Sequence, residues 1–216
     1  MDHHESAKQA EAQGRRLEEF WKGAFGDAYT SRNALSAGAG CGDFWRRLLA
    51  GMPIHSVLEI GCNVGGNLKW ISDLLPSSNV VGVDINEGSL QGLAATVPKA
   101  IPVRASSQRL PFRDNEFDLT FTFGTLVCHH PDTLPRVMRE IFRTSRRYLL
   151  CVEAYSEHPV EVPYRGVSDV LWKLDFGGLY QKLFPELHLS AHGLVAHGNF
   201  GWDDLTYWLF EKMKLS

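Results

Sequence analysis

Residues 57–67 read Val-Leu-Glu-Ile-Gly-Cys-Asn-Val-Gly-Gly-Asn: an apolar run that closes in a turn holding Gly61, Gly65 and Gly66. A second apolar run, Val80-Val81-Gly82-Val83, ends at Asp84. The two runs describe one object. A buried strand delivers the chain to a tight glycine turn, a helix starts, and the next strand ends in a carboxylate. The separation of Asp84 from Gly61 is close to the roughly 20 residues expected of a ribose-binding acid. Gly61 and Gly65 lack a Cβ, so the backbone can approach a ligand closely. An ordinary strand-to-helix turn, with Asp84 capping the next helix, is the plainer alternative. The spacing favours a nucleotide-like group at the edge of an open α/β sheet.

The rest of the chain agrees with such a sheet. Strands are expected at Ser56–Ile60, Val80–Asp84, Ile101–Arg104, Phe117–Phe123 and Arg147–Val152. Helices are expected at Gly66–Leu75, Ser89–Ala95 and Asp132–Thr144 between them. That alternation indicates βαβ units and a parallel sheet. Ahead of it, residues 5–22 and Phe44–Ala50 read as helices, and 23–42 as a loop with a short helix around Ala28–Leu35. The end of the chain breaks the pattern. His188–Ala196 and Leu205–Met213 are both strand-like and only a short loop separates them, so they should pair as an antiparallel hairpin. His188 and His192, four apart, are expected on one face of their strand.

Of the 216 residues, 44% are hydrophobic, enough for a sizeable core, and the length favours one domain. The net charge is -3, so no general basic surface is offered to nucleic acid. Cys41, Cys62, Cys128 and Cys151 lack the spacing of a disulfide framework or a zinc site, which fits a reducing, cytoplasmic setting. The polar N-terminal stretch has no leader-like core, and no apolar stretch is long enough to span a membrane.

With the glycine turn, Asp84, Leu110-Pro111-Phe112 ahead of Phe117-Asp118-Leu119, and the terminal hairpin, residues 50–216 resemble class I S-adenosylmethionine-dependent methyltransferases. The resemblance implies an α/β, Rossmann-like, doubly wound sheet of seven strands, mostly parallel with a C-terminal antiparallel hairpin. It implies a helical cap over residues 1–50, a methyltransferase domain over 51–216, and a substrate-binding insertion at 153–186. Where the family often has glycine in its loop, this chain has Asn63, which tolerates a positive φ better than most residues. A narrower likeness lies in Glu19–Asn33 and in Pro159–Gly166. Both resemble methylases associated with pseudaminic acid biosynthesis, a branch that includes the phosphonate O-methyltransferase type of dehydrophos antibiotic biosynthesis.

S-adenosylmethionine is thus the implied cofactor and S-adenosylhomocysteine its product. The implied cofactor residues are Glu59, Gly61, Asn63, Gly65, Asp84, Ile85, Ser106, Ser107, Phe123 and Gly124. Ser106 and Ser107 stand where the family holds the adenine edge. Arg32 is a candidate for the cofactor carboxylate, because a guanidinium fork matches it.

Methyl transfer is a matter of alignment and of excluding water. The implied acceptor is a small anion, most directly a phosphonate. Its candidate partners are Phe25 and Tyr29 in a lid, and Tyr164, Arg165, Lys173 and Tyr180 in the insertion. Tyr29, Arg165 and Lys173 are the expected positioning residues. An anionic oxygen needs no base. A nonulosonate or other sugar hydroxyl would need one, and His129, His130 or His197 could serve. No metal site is expected. A non-catalytic cofactor-binding protein and a nicotinamide-dependent oxidoreductase remain as rivals, the hairpin counting against the second. Oligomeric state is not indicated.

Overall fold

A computed structural model describes residues 3–33, 42–195 and 204–213. Seven helices lie among them: α1 (His3–Lys22), α2 (Ala24–Asn33), α3 (Gly42–Leu49), α4 (Gly66–Leu74), α5 (Glu87–Thr96), α6 (Leu134–Thr144) and α7 (Phe176–Leu183). The strands are β1 (Ser56–Ile60), β2 (Asn79–Asp84), β3 (Ile101–Arg104), β4 (Phe117–Phe123), β5 (Ser145–Ala154), β6 (Val160–Glu161), β7 (Trp172–Lys173), β8 (Leu187–Val195) and β9 (Leu205–Lys212). Seven of them form one sheet in the order β3-β2-β1-β4-β5-β9-β8, while β6 and β7 form a separate antiparallel pair. Strands β1 to β5 run parallel, and β9 alone is reversed against its neighbours β5 and β8. The fold is the expected Rossmann-like one with its antiparallel hairpin.

The central strands are buried on both faces, which is why they read as apolar runs rather than alternations. One face packs on α3, α4 and α5 through Trp45, Leu68, Ile71, Leu90 and Leu93. The other packs on α1, α6 and α7 through Leu17, Val137, Met138, Ile141, Phe176 and Tyr180. In α6 the buried Leu134, Val137, Met138 and Ile141 repeat at helical spacing. Trp45 of α3 is fully buried against Phe121 of β4, so α3 packs with the sheet rather than with α1 and α2.

Two local expectations change. The helix expected around Ala28–Leu35 is α2, a ten-residue helix that starts earlier, at Ala24, where the sequence reads as a loop; Leu35 lies outside the described residues. In β8 the register slips between Leu189 and Ala191, so that His188 pairs with Glu211 but His192 pairs with Trp208. Positions 211 and 208 of β9 face opposite sides, so this bulge sends His188 and His192 to opposite faces of the sheet.

Helices α1 and α2 cross the C-terminal edge of the sheet and are tied down at both ends. Asn86, just after β2, donates from Nδ2 to Asp27 Oδ1 at 2.7 Å. Arg16 reaches Asp169 Oδ2 at 2.6 Å, and Gln13 bonds the same carboxylate. The strand order reverses between β1 and β4, and in open α/β sheets the ligand crevice lies at that point.

Candidate functional site

A cavity of about 230 Å³ opens at that reversal, beneath α1 and α2. Its floor is the glycine turn. Gly61 and Cys62 both donate their N–H groups to Val83 O (2.8 and 2.9 Å), fastening the turn to β2. Gly61 (φ 73°), Asn63 (φ 47°) and Gly65 (φ 80°) all take left-handed backbone. Asn63 thus keeps the turn where glycine is common. A Cβ on Gly61 would lie 2.2 Å from Thr125 Oγ1, so glycine is required there twice over.

Two buried carboxylates face this floor. Asp84 accepts from Asn63 N and Asn86 N, one on each oxygen, at 2.9 Å. Burial pushes its pKa up, while those backbone bonds favour the charged form. Each oxygen keeps a second lone pair for a hydroxyl donor. Glu59, only 1% exposed, accepts from Asn67 Nδ2 at 2.8 Å through Oε1. Asn67 is oriented by Trp45, which donates from Nε1 to Asn67 Oδ1 at 3.3 Å. Glu59 Oε2 has no partner among the described residues, and burial pushes this carboxyl well up. An unpaired buried carboxylate oxygen calls for a donor, ideally a cationic one.

The wall comes from the chain after β4. Thr125 donates its hydroxyl to Ile60 O at 3.0 Å and so closes against Gly61. His129 has its Nδ1 3.0 Å from Thr125 O and its Nε2 2.8 Å from Ser107 Oγ. A carbonyl can only accept, so Nδ1 carries the proton and Nε2 accepts from the Ser107 hydroxyl. Burial holds His129 below the usual histidine range, and this neutral tautomer is the form present at neutral pH.

The roof is α1 and α2, with Gly14, Leu17, Glu18, Trp21, Tyr29 and Thr30. Trp21 Nε1 is buried without a partner among the described residues. Glu18 accepts from Gln108 Nε2 at 2.8 Å and from Ser106 Oγ. Thr30 Oγ1 sits 2.7 Å from Ser89 Oγ, which in turn donates to Asn63 Oδ1 at 3.3 Å, linking roof to floor. Burial raises the Tyr29 phenol well above its ordinary value, so it stays protonated.

The structure therefore brings Glu59, Gly61, Asn63, Asp84, Ile85, Ser107, Phe123, Gly124, Tyr29 and His129 to one cavity. Gly65 shapes the turn from just behind, as the N-cap of α4. Other expected residues lie elsewhere. Ser106 turns away to Glu18, because its hydroxyl joins the bonds that hold α1. Arg32 is exposed with its guanidinium 5.8 Å from the Phe25 ring, and Phe25 itself stacks on Phe20. Arg165 (φ 50°) and Gly166 (φ 79°) form the tip of a two-residue turn closed by Tyr164 N to Val167 O and its reciprocal bond. That geometry leaves the Arg165 side chain exposed over Tyr164. Tyr164 packs edge-on against Phe25, Lys173 lies on β7, and Tyr180 is fully buried in the core behind β5. None of these side chains lines the cavity; the loop joining β6 to β7 instead reaches α1, where Asp169 meets Arg16. His197 lies outside the described residues. Trp21 and Thr125 lie in segments expected at the rim, Trp21–Asn33 and Phe123–Leu126, while Glu18, Asn67 and Gln108 join the site without a residue-level signal in the sequence, since no motif spacing connects them.

Residues 57–147 match the family model of a methyltransferase domain. The 24-methylenesterol C-methyltransferase 2 of Oryza sativa is 35% identical over 102 residues, 44% of this chain and 27% of that protein. The ubiquinone/menaquinone biosynthesis C-methyltransferase UbiE of Pseudomonas paraeruginosa is 32% identical over 134 residues, 56% of this chain and 52% of that one. The chain thus spans about half or less of the curated relatives it matches. Among solved structures, the 1,6-didemethyltoxoflavin-N1-methyltransferase of Burkholderia thailandensis, with bound S-adenosylhomocysteine, superposes with a TM-score of 0.66 at 16% identity. That match covers 99% of this chain and 92% of that one. Residues 57–147 are thus similar to a methyltransferase domain, and the floor of the cavity fits the groups of S-adenosylmethionine.

Proposed function

We propose that this chain is an S-adenosylmethionine-dependent methyltransferase that methylates an oxygen of a small, uncharged acceptor held under α1 and α2. The observation that carries this reading is a single cavity joining a nucleotide floor to a neutral histidine. Asp84 has spare lone pairs for ribose hydroxyls, and the orphaned Glu59 Oε2 suits an ammonium group such as the cofactor's. S-adenosylmethionine supplies an electrophilic methyl group on a sulfonium.

The chain's own part is to align the acceptor, exclude water and take up a proton. Ser107 Oγ receives the acceptor's hydroxyl proton while its own passes to His129 Nε2 over 2.8 Å. The Nδ1–H stays on Thr125 O, and Glu18 offsets the imidazolium charge. The proton leaves to water when the product departs.

A phosphonate acceptor would need no base but would need cations. The described cavity lining contains no lysine or arginine, and neither do residues 34–41 or 196–203 in the sequence. This favours an uncharged hydroxyl compound over a phosphonate, which rests on the resemblance alone. No described helix is long and apolar enough to cross a membrane.

Equilibrium dialysis with S-adenosylmethionine against NAD tests the cofactor. Release of S-adenosylhomocysteine from paired panels of polyols and phosphonates tests the acceptor. Preference for NAD, or turnover of phosphonates alone, would overturn the corresponding half of the proposal.

A further inference from the structure

Glu153, at the C-terminal end of β5, is fully buried yet touches neither the cavity nor any cation named for it. Its carboxylate faces the 3-10 turn Leu126–Cys128. Oε1 accepts from Thr125 N at 3.2 Å and from Leu126 N at 3.0 Å, and Oε2 from Val127 N at 3.3 Å. Three successive N–H groups at the start of a helical turn otherwise have no intrahelical acceptor. Thr125, in the N-cap position, does not cap the turn with its own side chain. Its hydroxyl goes to Ile60 O instead, at the base of the glycine turn. Its carbonyl fixes His129 Nδ1. A single remote carboxylate thereby frees Thr125 to bind the floor and orient the wall.

We propose that Glu153 is a positioning residue: its ionised carboxylate holds residues 125–129 in the cofactor-binding arrangement, so that cofactor affinity depends on its ionisation. The chemistry of the pairing supports this. Three N–H donors need an acceptor, and a protonated carboxyl presents an O–H to one of them, which breaks at least one bond. The turn then loosens, and with it the Thr125 contacts to Ile60 and His129. Burial raises the Glu153 pKa to about 7, within reach of ordinary buffers. The other titratable groups that act with it are Cys128 in the turn, Cys151 on β5 and Tyr180 on α7. Burial raises all three, so they stay neutral there and do not titrate with it.

The inference rests on the cofactor reading, and S-adenosylhomocysteine is therefore the probe. Titration calorimetry from pH 5.5 to 8 should show affinity rising roughly tenfold in the wild-type protein, a coupling of ordinary size. Glu153→Gln should bind more weakly at pH 8 and lose most of that slope. Its amide keeps the shape and one acceptor oxygen, but its NH2 end meets at least one of the three N–H donors. Asp84, also raised by burial, titrates equally in both proteins, so the difference in slope isolates Glu153. Amide hydrogen exchange should show Thr125, Leu126 and Val127 better protected at pH 8 than at pH 6, relative to the sheet, in the wild type only. A flat wild-type affinity, or a Glu153→Gln protein with wild-type affinity and slope, overturns the proposal. Absence of S-adenosylhomocysteine binding at every pH overturns the cofactor reading instead. If Glu153→Gln does not fold, the wild-type exchange data decide the matter, because Glu153 and not Asp84 accepts from Thr125, Leu126 and Val127: protection of these three amides that is unchanged between pH 6 and pH 8 overturns the proposal.

Discussion

The floor and the roof of the cavity are built from different materials. The floor is backbone: Gly61, Asn63 and Gly65 hold left-handed conformations, and Val83 O and Asp84 bind turn amides. The roof is side chains on two helices, tied by Asn86 to Asp27, Arg16 to Asp169 and Thr30 to Ser89. A backbone floor tolerates few substitutions, because its geometry demands particular φ angles and close approaches. A side-chain roof can vary and can move. The contrast implies that donor binding belongs to the floor, and acceptor choice to the roof and to the wall at Ser107 and His129.

Gly61→Val strikes the floor hardest. Its new Cβ would meet Thr125 Oγ1 at 2.2 Å on left-handed backbone, and S-adenosylhomocysteine binding should fall more than about a hundredfold. Calorimetry reads this directly, and retained binding would mean that the floor is not the donor site.

Next in size is the stability effect of Glu153. Its folded pKa of about 7 lies above its unfolded value, so the native state binds the proton more tightly. Its contribution is fully present below the unfolded pKa and is lost as pH rises through about 7. The loss is on the order of 3 kcal/mol. Chemical denaturation at pH 5 and pH 8, wild type against Glu153→Gln, should show this share of the pH dependence vanish in the variant. Cofactor binding and global stability therefore pull Glu153 in opposite directions, which gives the loop its sensitivity.

Ser107→Ala separates the wall from the floor. With a hydroxyl acceptor, kcat should drop roughly 10²-fold while the affinity for S-adenosylhomocysteine stays within about twofold. The reverse pattern, lost affinity with unchanged kcat, would return Ser107 to the cofactor. The acidic limb of the wild-type rate profile should fall below the usual histidine pKa, because burial lowers His129.

The smallest effects belong to the outer insertion. Asp169→Ala removes a half-exposed clasp on α1 and should cost at most about 1 kcal/mol, read by thermal unfolding. Arg165→Ala should leave the acceptor KM within about twofold. A tenfold rise would place the exposed turn in the acceptor site and undo the division drawn here.

Much of the floor is legible along the chain. Strands β1, β3 and β4 begin and end at the expected residues; β1 and β4 are buried and read as mainly apolar runs, whereas β3 is a mostly exposed edge strand. The Gly61, Asn63 and Asp84 set is local to one βαβ unit, so spacing alone reveals it. The roof was less legible. Arg165 and Lys173 look like anion ligands because of their charge, but the turn at 165–166 and the alternation of β7 carry them away from the cavity. Tyr180 looks like a hydroxyl donor and is core. The bulge in β8 adds one residue without any marker, and it separates His188 from His192.

By itself, then, the sequence determined the sheet, the glycine turn and the acid at the end of β2. These follow from periodicity, from positive φ and from separations within one supersecondary unit. Only the tertiary structure decided that Ser107 meets His129, that Glu153 caps Thr125, and that no described lysine or arginine lines the cavity. Those pairings join residues on different strands, and their geometry is set by how the strand ends converge at one edge of the sheet. No pattern read along the chain carries that distance.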